Sequence, residues 1–529
     1  MASHRVLDVL IGGEWRHAQS TATFQASNPA TGEALPESYP VSAWADCDAA
    51  LAAARDAADA LQRTPPEQIA EFLNRFAERV DARKDELAQQ AHIESGLPKS
   101  PRLADVELPR TTDQLRQAAA AVTEGSWAVP TIDTKLNIRS CFASIGPVVV
   151  FGPNNFPFAF SGIAGGDFAA AIAAGNPVIA KGHPVHPGTA RMLAEEALAA
   201  VTETRLPKAT VQMVYRTDPA SGVRLVSDPR TGATGFTGSR TAGLKLKTAA
   251  DAAGKPIYVE LSSINPVVML PGALAERGTK LAEEFAGSCM LGGGQFCTNP
   301  GLVILIEGDA TEAFITTAKD KFDAGTPPPL LSSGVVSSLK DGIRKLQEAG
   351  AQVLTSGAAL ASPGYRHANT LLRVTGRQFL VSPEALQTEA FGSASLMVVC
   401  RDGDEAARVL DHLEGNLTGA IYSDTGGSDD ALHDALAPRL RARVGRLLND
   451  KMPTGVAVSP AMNHGGPFPA TGHPGFTAVG IPASIRRFAM LQCYDNVRPH
   501  RLPPALRDKN PNGTMWRLVD GAWTRGDVA

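Results

Sequence analysis

The chain lacks what would send it to a membrane, a zinc centre or a polyanion. No run approaches the roughly 18 apolar residues of a spanning helix. Met1-Ala2-Ser3-His4-Arg5 leads into mixed polar sequence, with no apolar stretch of a signal peptide. The six cysteines (Cys47, Cys141, Cys289, Cys297, Cys400, Cys493) are scattered, and none is paired at metal-ligand spacing. A disulfide framework would be denser. The 11 histidines form no HExxH pattern, so no metal is expected. With a formal net charge of -4 and no long run of one sign, neither nucleic acid nor a membrane surface is an expected partner. No internal repeat of fixed short period is present. A reducing, cytoplasmic setting fits these absences.

What is present is enough chain for two or three lobes: 529 residues, 43% hydrophobic and 20% charged. Ile11-Gly12-Gly13-Glu14-Trp15 reads as a hairpin and Asn28 to Glu33 as a turn. Four helices come next. Ser42 is the expected cap of the first, Pro65-Pro66 opens the second, the third runs from about Asp81 to Gly96, and the fourth covers about Leu103 to Val122. These are read as scaffold. Asp133 to Phe142 alternates, and with the next strand it is expected to form an arm that leaves the main body and makes oligomer contacts.

The pattern then changes. Val148 to Phe151, Val178 to Lys181, Thr210 to Val214, Ala233 to Phe236 and Ile257 to Glu260 are short apolar runs separated by helical segments. Strands alternating with helices imply βαβ units and a doubly wound parallel sheet. Ligands on such sheets bind beyond the carboxyl ends of the strands. Those ends carry Asn155, Lys181, Arg216, Thr237-Gly238-Ser239 and Glu260. A second α/β set runs from about Pro271 to Val458.

Within the second set, Gly292-Gly293-Gly294-Gln295-Phe296-Cys297 ends a glycine-rich run on a single cysteine. Glycines allow close approach and turns closed to other residues, so this thiol is reachable. Cys289, eight residues earlier, reads as core packing. A reachable cysteine, a carboxylate, an amide donor and a nucleotide-binding sheet suggest one reaction. The thiolate attacks a carbonyl carbon, an amide stabilises the oxyanion, hydride leaves to a nicotinamide, and water activated by the carboxylate hydrolyses the thioester.

The motifs resemble those of the aldehyde dehydrogenase superfamily over nearly the whole chain. Pro153-Asn154-Asn155-Phe156-Pro157 resembles PWNFP with Asn154 for Trp, and Lys181 stands at the motif lysine. Phe236-Thr237-Gly238-Ser239 with Gly243 resembles FTGSxxxG. Glu260-Leu261-Ser262-Ser263 resembles ELGG, Gly294 to Cys297 the nucleophile motif, and Glu389-Ala390-Phe391-Gly392 the E-x-F-G motif. The resemblance implies an α/β fold with a doubly wound, Rossmann-like dinucleotide-binding domain at 1–128 and 146–270. It further implies a catalytic α/β domain at 271–460, and a small β oligomerisation arm and tail at 129–145 and 490–529. It makes Cys297 the nucleophile, Glu260 the general base and Asn155 the oxyanion donor beside the Cys297 backbone N–H. Lys181, Gly238, Ser239, Glu389 and Phe391 become cofactor residues, and a homodimer or homotetramer is expected.

NAD-preferring members often carry a glutamate three residues after the motif lysine; here that place is Pro184. Without a carboxylate to repel a 2′-phosphate, NADP is favoured over NAD, with His183 and Arg216 as candidate phosphate partners. Segments such as His464-Gly465-Gly466-Pro467-Phe468-Pro469-Ala470-Thr471 resemble the α-ketoglutaric semialdehyde dehydrogenase subgroup. That subgroup tends to carry Asp and Arg after Ala-Thr, where this chain has Gly472-His473-Pro474-Gly475. If the missing arginine held the substrate carboxylate, an uncharged aldehyde is the alternative substrate. A CoA-acylating enzyme, a thiol esterase and an inactive binding protein are the rival readings. Glu260 speaks against the first, because CoA transfer needs no water-activating base.

Overall fold

The computed structural model describes residues 6–357 and 363–528. Its first seven-stranded sheet runs in the order Ile257–Glu260, Ala233–Thr237, Val148–Phe151, Val178–Lys181, Val211–Val214, Val9–Ile11, Glu14–Arg16. The first five strands are parallel. The Gly12-Gly13 hairpin extends the far edge antiparallel, with Leu10 opposite Met213. The parallel strands start at the centre with Val148–Phe151, build outward to one side, then return to the other. This is the doubly wound arrangement, with its crevice at the carboxyl edge. Every residue of Val148–Phe151 is buried. Helices cover both faces, which is why these strands read as unbroken apolar runs.

The second seven-stranded sheet has the order Gln352–Val353, Thr370–Thr375, Ala394–Cys400, Leu302–Ile306, Val267–Met269, Asn416–Tyr422, Val444–Asn449. It is parallel except for its first, two-residue edge strand. Phe285, Phe314 and Phe322 fill the core on one of its faces.

Three expectations change in detail. Ser42 does not cap the first helix, Trp44–Leu61. Its N–H donates to the Arg216 carbonyl at 2.7 Å and its Oγ accepts from the Tyr215 N–H at 3.3 Å, so it binds the sheet edge. The carboxylate of Asp46 serves the helix start by accepting from the Ala43 N–H at 3.0 Å. The fourth helix is two pieces, a π-helical stretch Lys99–Glu107 and the α-helix Leu108–Glu124. Asp133 to Phe142 is not one strand. Thr131–Asp133 and Ile138–Ser144 form a hairpin that turns at Asn137, whose φ is 55°. The longer strand pairs with Ala489–Asp495, far away in sequence, and not with the next strand along the chain. Together with Arg517–Val519 and Ala522–Thr524 they make a five-stranded sheet. The buried guanidinium of Arg517 holds the tail, donating to the carbonyls of Asp508 at 3.0 Å and Gly526 at 2.8 Å. Among the described residues, no helix is long and apolar enough to cross a membrane.

Candidate active site

Cys297 comes after a turn that only glycine can make. Gly292, Gly293 and Gly294 have φ of 57°, 71° and 69°. A Cβ on Gly294 would lie 2.1 Å from the Gly392 carbonyl oxygen, so both conformation and space demand glycine there. Cys297 is left half-buried, while Cys289 is fully buried in the core, as expected. Two asparagines fix the far side of the loop. Asn265 donates its side-chain amide to the carbonyls of Cys297 and Asn299, both at 2.9 Å. Asn416 Oδ1 accepts from the backbone N–H of Ile264 at 2.9 Å and of Asn265 at 3.2 Å.

Glu260 ends the parallel strand Ile257–Glu260 and is buried. A short antiparallel bridge to Thr471, with Leu261 N–H donating to Ala470 O at 2.8 Å, fastens the glycine- and proline-rich segment beside it. That segment brings in His464, which is also buried. His464 Nε2 lies 2.9 Å from Glu260 Oε1 and 3.4 Å from Cys297 Sγ. One imidazole nitrogen therefore lies within reach of both the thiol and the carboxylate, and with one hydrogen or one lone pair it bonds them in turn. Glu260 Oε2 makes no hydrogen bond among the described residues. Burial, and then the charge of Glu260, push the Cys297 thiol well above the ordinary thiol range, with Arg110 acting in the opposite sense. The thiolate is thus disfavoured, and it forms only when a base takes the thiol proton. His464 is the base in contact.

Asn155 is buried, and its Nδ2 donates to the Gln295 carbonyl at 2.9 Å. A carboxamide has two N–H donors, so one is unspent. Among the described residues the Cys297 backbone N–H has no backbone acceptor. Arg102 braces this loop by donating Nη2 to the Asn155 carbonyl at 3.1 Å, with its guanidinium carbon 4.4 Å from the centre of the Phe156 ring. Phe156, Phe160, Phe296 and Phe476 form an apolar cluster beside the cysteine, and Phe160 lies 5.6 Å from His464 between ring centres.

The other expected residues gather at the same carboxyl edge. Ser239 caps the helix Arg240–Ala252, accepting from the Ala242 N–H at 3.4 Å. The helix N-terminus faces a cleft of about 400 Å³ lined by Ser239, Arg240, Ser262, Ser263 and Glu389. At Gly238 a Cβ would come within 2.9 Å of the Phe236 ring, so the bare backbone there keeps the cradle open. Burial pushes the Glu389 carboxyl up to about 7, although the Ser263 N–H donates to it at 3.4 Å. Phe391 lines a small recess with Glu389, Gly294 and Phe296. Lys181 ends a strand one position beyond the central one, which puts it roughly 10 Å across the sheet from the Ser239 turn. Burial, and then Arg216, lower the Lys181 ammonium to about 8. Lys181 makes no ion pair among the described residues, and Arg216 is exposed. His183 stacks on His186 at 5.4 Å, and burial followed by Lys181 hold it well below the usual histidine range. It can offer a phosphate a neutral N–H but no charge. These donors, the open helix N-terminus and the glycine cradle fit a dinucleotide.

Sequence reasoning had placed His464 only within a family-like segment, with no role. A lone histidine before Gly-Gly-Pro was the available signal. Gly472, which departs from the subgroup, packs against Val259 and Lys247.

A thiol in contact with a base, backed by a buried carboxylate and set between two parallel sheets with a dinucleotide cleft, defines an oxidoreductase that works through a covalent adduct. The family model "Aldehyde dehydrogenase family" matches residues 15–456. Over 527 residues, covering 97% of this chain and 98% of the relative, the sequence is 42% identical to α-ketoglutaric semialdehyde dehydrogenase 2 of Azospirillum brasilense. It is 37% identical over 494 residues (91% and 92% covered) to the α-ketoglutaric semialdehyde dehydrogenase of Acinetobacter baylyi. Among solved structures, aldehyde dehydrogenase C of Pseudomonas syringae, in complex with NAD+ and octanal, superposes with a TM-score of 0.79 at 21% identity, covering 95% of this chain and all of that one (100%). Lactaldehyde dehydrogenase of Escherichia coli gives 0.79 at 20% identity, with 92% and 98% covered. The chain belongs to the aldehyde dehydrogenase family and is an NAD(P)-linked oxidoreductase acting on aldehydes.

Proposed function

We propose that this enzyme oxidises α-ketoglutaric semialdehyde to 2-oxoglutarate, with NADP preferred over NAD. The observation that carries the chemistry is the contact of one His464 nitrogen with both Cys297 Sγ and Glu260 Oε1. The substrate rests on the two semialdehyde relatives.

As the Nδ1–H tautomer, His464 takes the Cys297 proton on its Nε2 lone pair, and the imidazolium so formed donates that N–H to Glu260 Oε1. Sγ bonds to the aldehyde carbon. The carbonyl oxygen becomes an alkoxide, held by the unspent N–H of Asn155 and the backbone N–H of Cys297. Preorganised donors of this kind are worth roughly 3–4 kcal/mol each. A dinucleotide held in the cleft lined by Ser239 and Glu389 would supply the hydride acceptor needed to take the cysteine adduct to a thioester. Glu260 then takes a proton from water as that water attacks the thioester carbon, and the departing Cys297 sulfur recovers from His464 Nε2 the proton given up in the first step. Ser239 and the helix start behind it would hold the pyrophosphate, Lys181 and Glu389 would hold ribose hydroxyls, and Phe391 would offer the cofactor an apolar face. Arg216 would meet the 2′-phosphate of NADP, and His183 would add an uncharged N–H.

The five-stranded sheet, with Leu491 60% and Trp523 54% exposed, is the surface through which copies associate as a homodimer or homotetramer. A reactive thiol among free cysteines suits the reducing cytoplasm. The test is a set of initial rates for α-ketoglutaric semialdehyde, succinic semialdehyde, hexanal and benzaldehyde, each with NADP and with NAD. The highest kcat/KM is expected for α-ketoglutaric semialdehyde with NADP. A higher value for hexanal or benzaldehyde would refute the substrate.

A further inference from the structure

Three arginines stand at the wall of the Cys297 cluster, and two are committed. Arg102 pairs with Glu107 and donates to the Asn155 carbonyl. Arg446 donates to the carbonyls of Pro453 at 2.8 Å and Gly455 at 3.1 Å. The third, Arg110, lies in the first turn of the helix Leu108–Glu124. Its Nε and Nη2 are buried without a partner among the described residues. Its guanidinium carbon is 5.1 Å from the centre of the Phe160 ring and 6.0 Å from that of Phe156. Phe160 in turn packs on His464. The carboxylate one turn earlier, Glu107, is spent on Arg102 and on the N–H groups of Phe158 at 2.9 Å and Ala159 at 3.0 Å.

Aromatic faces attract a guanidinium but accept little from the N–H groups at its edge. A buried edge left unpaired is unfavourable, and a carboxylate would satisfy it through two parallel N–H···O bonds. We propose that Arg110 receives the far carboxylate of an aldehyde acid whose aldehyde carbon lies on Cys297 Sγ. This rests on the semialdehyde reading above, and it gives that reading the cation that Gly472 to Gly475 do not supply. Burial lowers the Arg110 guanidinium, opposed first by the charge of Glu107, and a bound carboxylate would oppose it further.

The test uses the full-length enzyme and the variants R110Q and R110K, with α-ketoglutaric semialdehyde and hexanal at saturating cofactor. R110Q is expected to raise KM for the acid about 10- to 100-fold, the loss of a charge-assisted pair, while kcat/KM for hexanal changes less than threefold. R110K keeps the charge without the fork, so its KM for the acid rises less than that of R110Q. It also carries the test if R110Q does not fold. An equal loss on both aldehydes, or an unchanged KM for the acid, overturns the assignment of Arg110 and leaves the substrate reading intact. A wild-type enzyme that oxidises hexanal but not the acid overturns the substrate reading and the assignment together.

Discussion

Replacing Glu260 by Gln separates the two halves of the reaction. The side chain keeps its shape and its carbonyl oxygen, so the contact now 2.9 Å from His464 Nε2 can persist. The negative charge is lost, and with it the ability to accept a proton from water. Removing a positioned general base costs roughly 10²- to 10⁴-fold, or about 3–5 kcal/mol on the activation barrier. Acylation should suffer less, because the proton of Cys297 goes first to His464, 3.4 Å away. Loss of the Glu260 charge also removes one of the causes that hold the thiol protonated. In stopped flow, E260Q should therefore form one equivalent of NADPH per active site in a burst, and then enter a steady state at least 100-fold slower than wild type. Mass spectrometry of the quenched enzyme should find the acyl group on Cys297. A steady-state rate within threefold of wild type, or a slow reaction with no burst, would refute the division of labour between His464 and Glu260.

Alkylation of Cys297 by iodoacetamide in the cofactor-free enzyme should accelerate with pH through 9 without levelling off, because burial and Glu260 keep the thiol protonated at neutral pH; a plateau near pH 7 would mean a preformed thiolate. Arg216→Ala should raise KM for NADP about tenfold or more, as expected for a lost bond to a charged group, and leave KM for NAD within twofold. Equal effects on both cofactors would remove Arg216 from the 2′-phosphate. Gly294→Ala forces a side chain into a left-handed residue and against the Gly392 carbonyl, so urea unfolding should show a loss on the order of 2–5 kcal/mol. Gly287→Ala, in open space on the helix Pro271–Met290, should instead stabilise by about 0.5–1 kcal/mol.

The parallel strands were legible in the sequence because burial on both faces makes each an apolar run, and the glycine run before Cys297 because its left-handed turn tolerates nothing else. Asn155, Lys181, Ser239 and Glu260 were legible for a related reason: each stands just after or at the close of one of those runs, so topology alone carries it to the carboxyl edge. Features that depend on distant pairing were not legible. Nothing local in Ile138–Ser144 marks Ala489–Asp495 as its partner. Ser42 looked like a cap because the competing demand, the Tyr215 N–H, comes from a strand far along the chain. Asn265 and Asn416 fix the nucleophile loop through side-chain amides whose partners appear only once both sheets are in place. The N-terminal helices were read as scaffold, yet Arg102 and Arg110 reach the aromatic cluster from the π-to-α junction. A helical pattern reports which face is buried and not what that face is buried against.

The penalty on the Cys297 thiolate is a consequence of the same burial that makes the site useful. The apolar cluster of phenylalanines beside Cys297 lowers the local dielectric and so strengthens the fixed dipoles of the site, but the same surroundings penalise the thiolate. A permanently ionised cysteine would need a compensating cation in contact with the sulfur, and such a cation would hold back the charge that must flow to the substrate. His464 avoids both demands. It takes the thiol proton as the sulfur becomes an anion, so the two charges form together. The carboxylate behind it, one oxygen bonded and the other without a partner among the described residues, steadies that imidazolium first and can accept a proton from water afterwards. On this reasoning His464→Gln should slow acylation and abolish the burst, whereas Glu260→Gln preserves the burst and slows the hydrolysis after it. The two variants therefore differ in the shape of the progress curve and not only in rate.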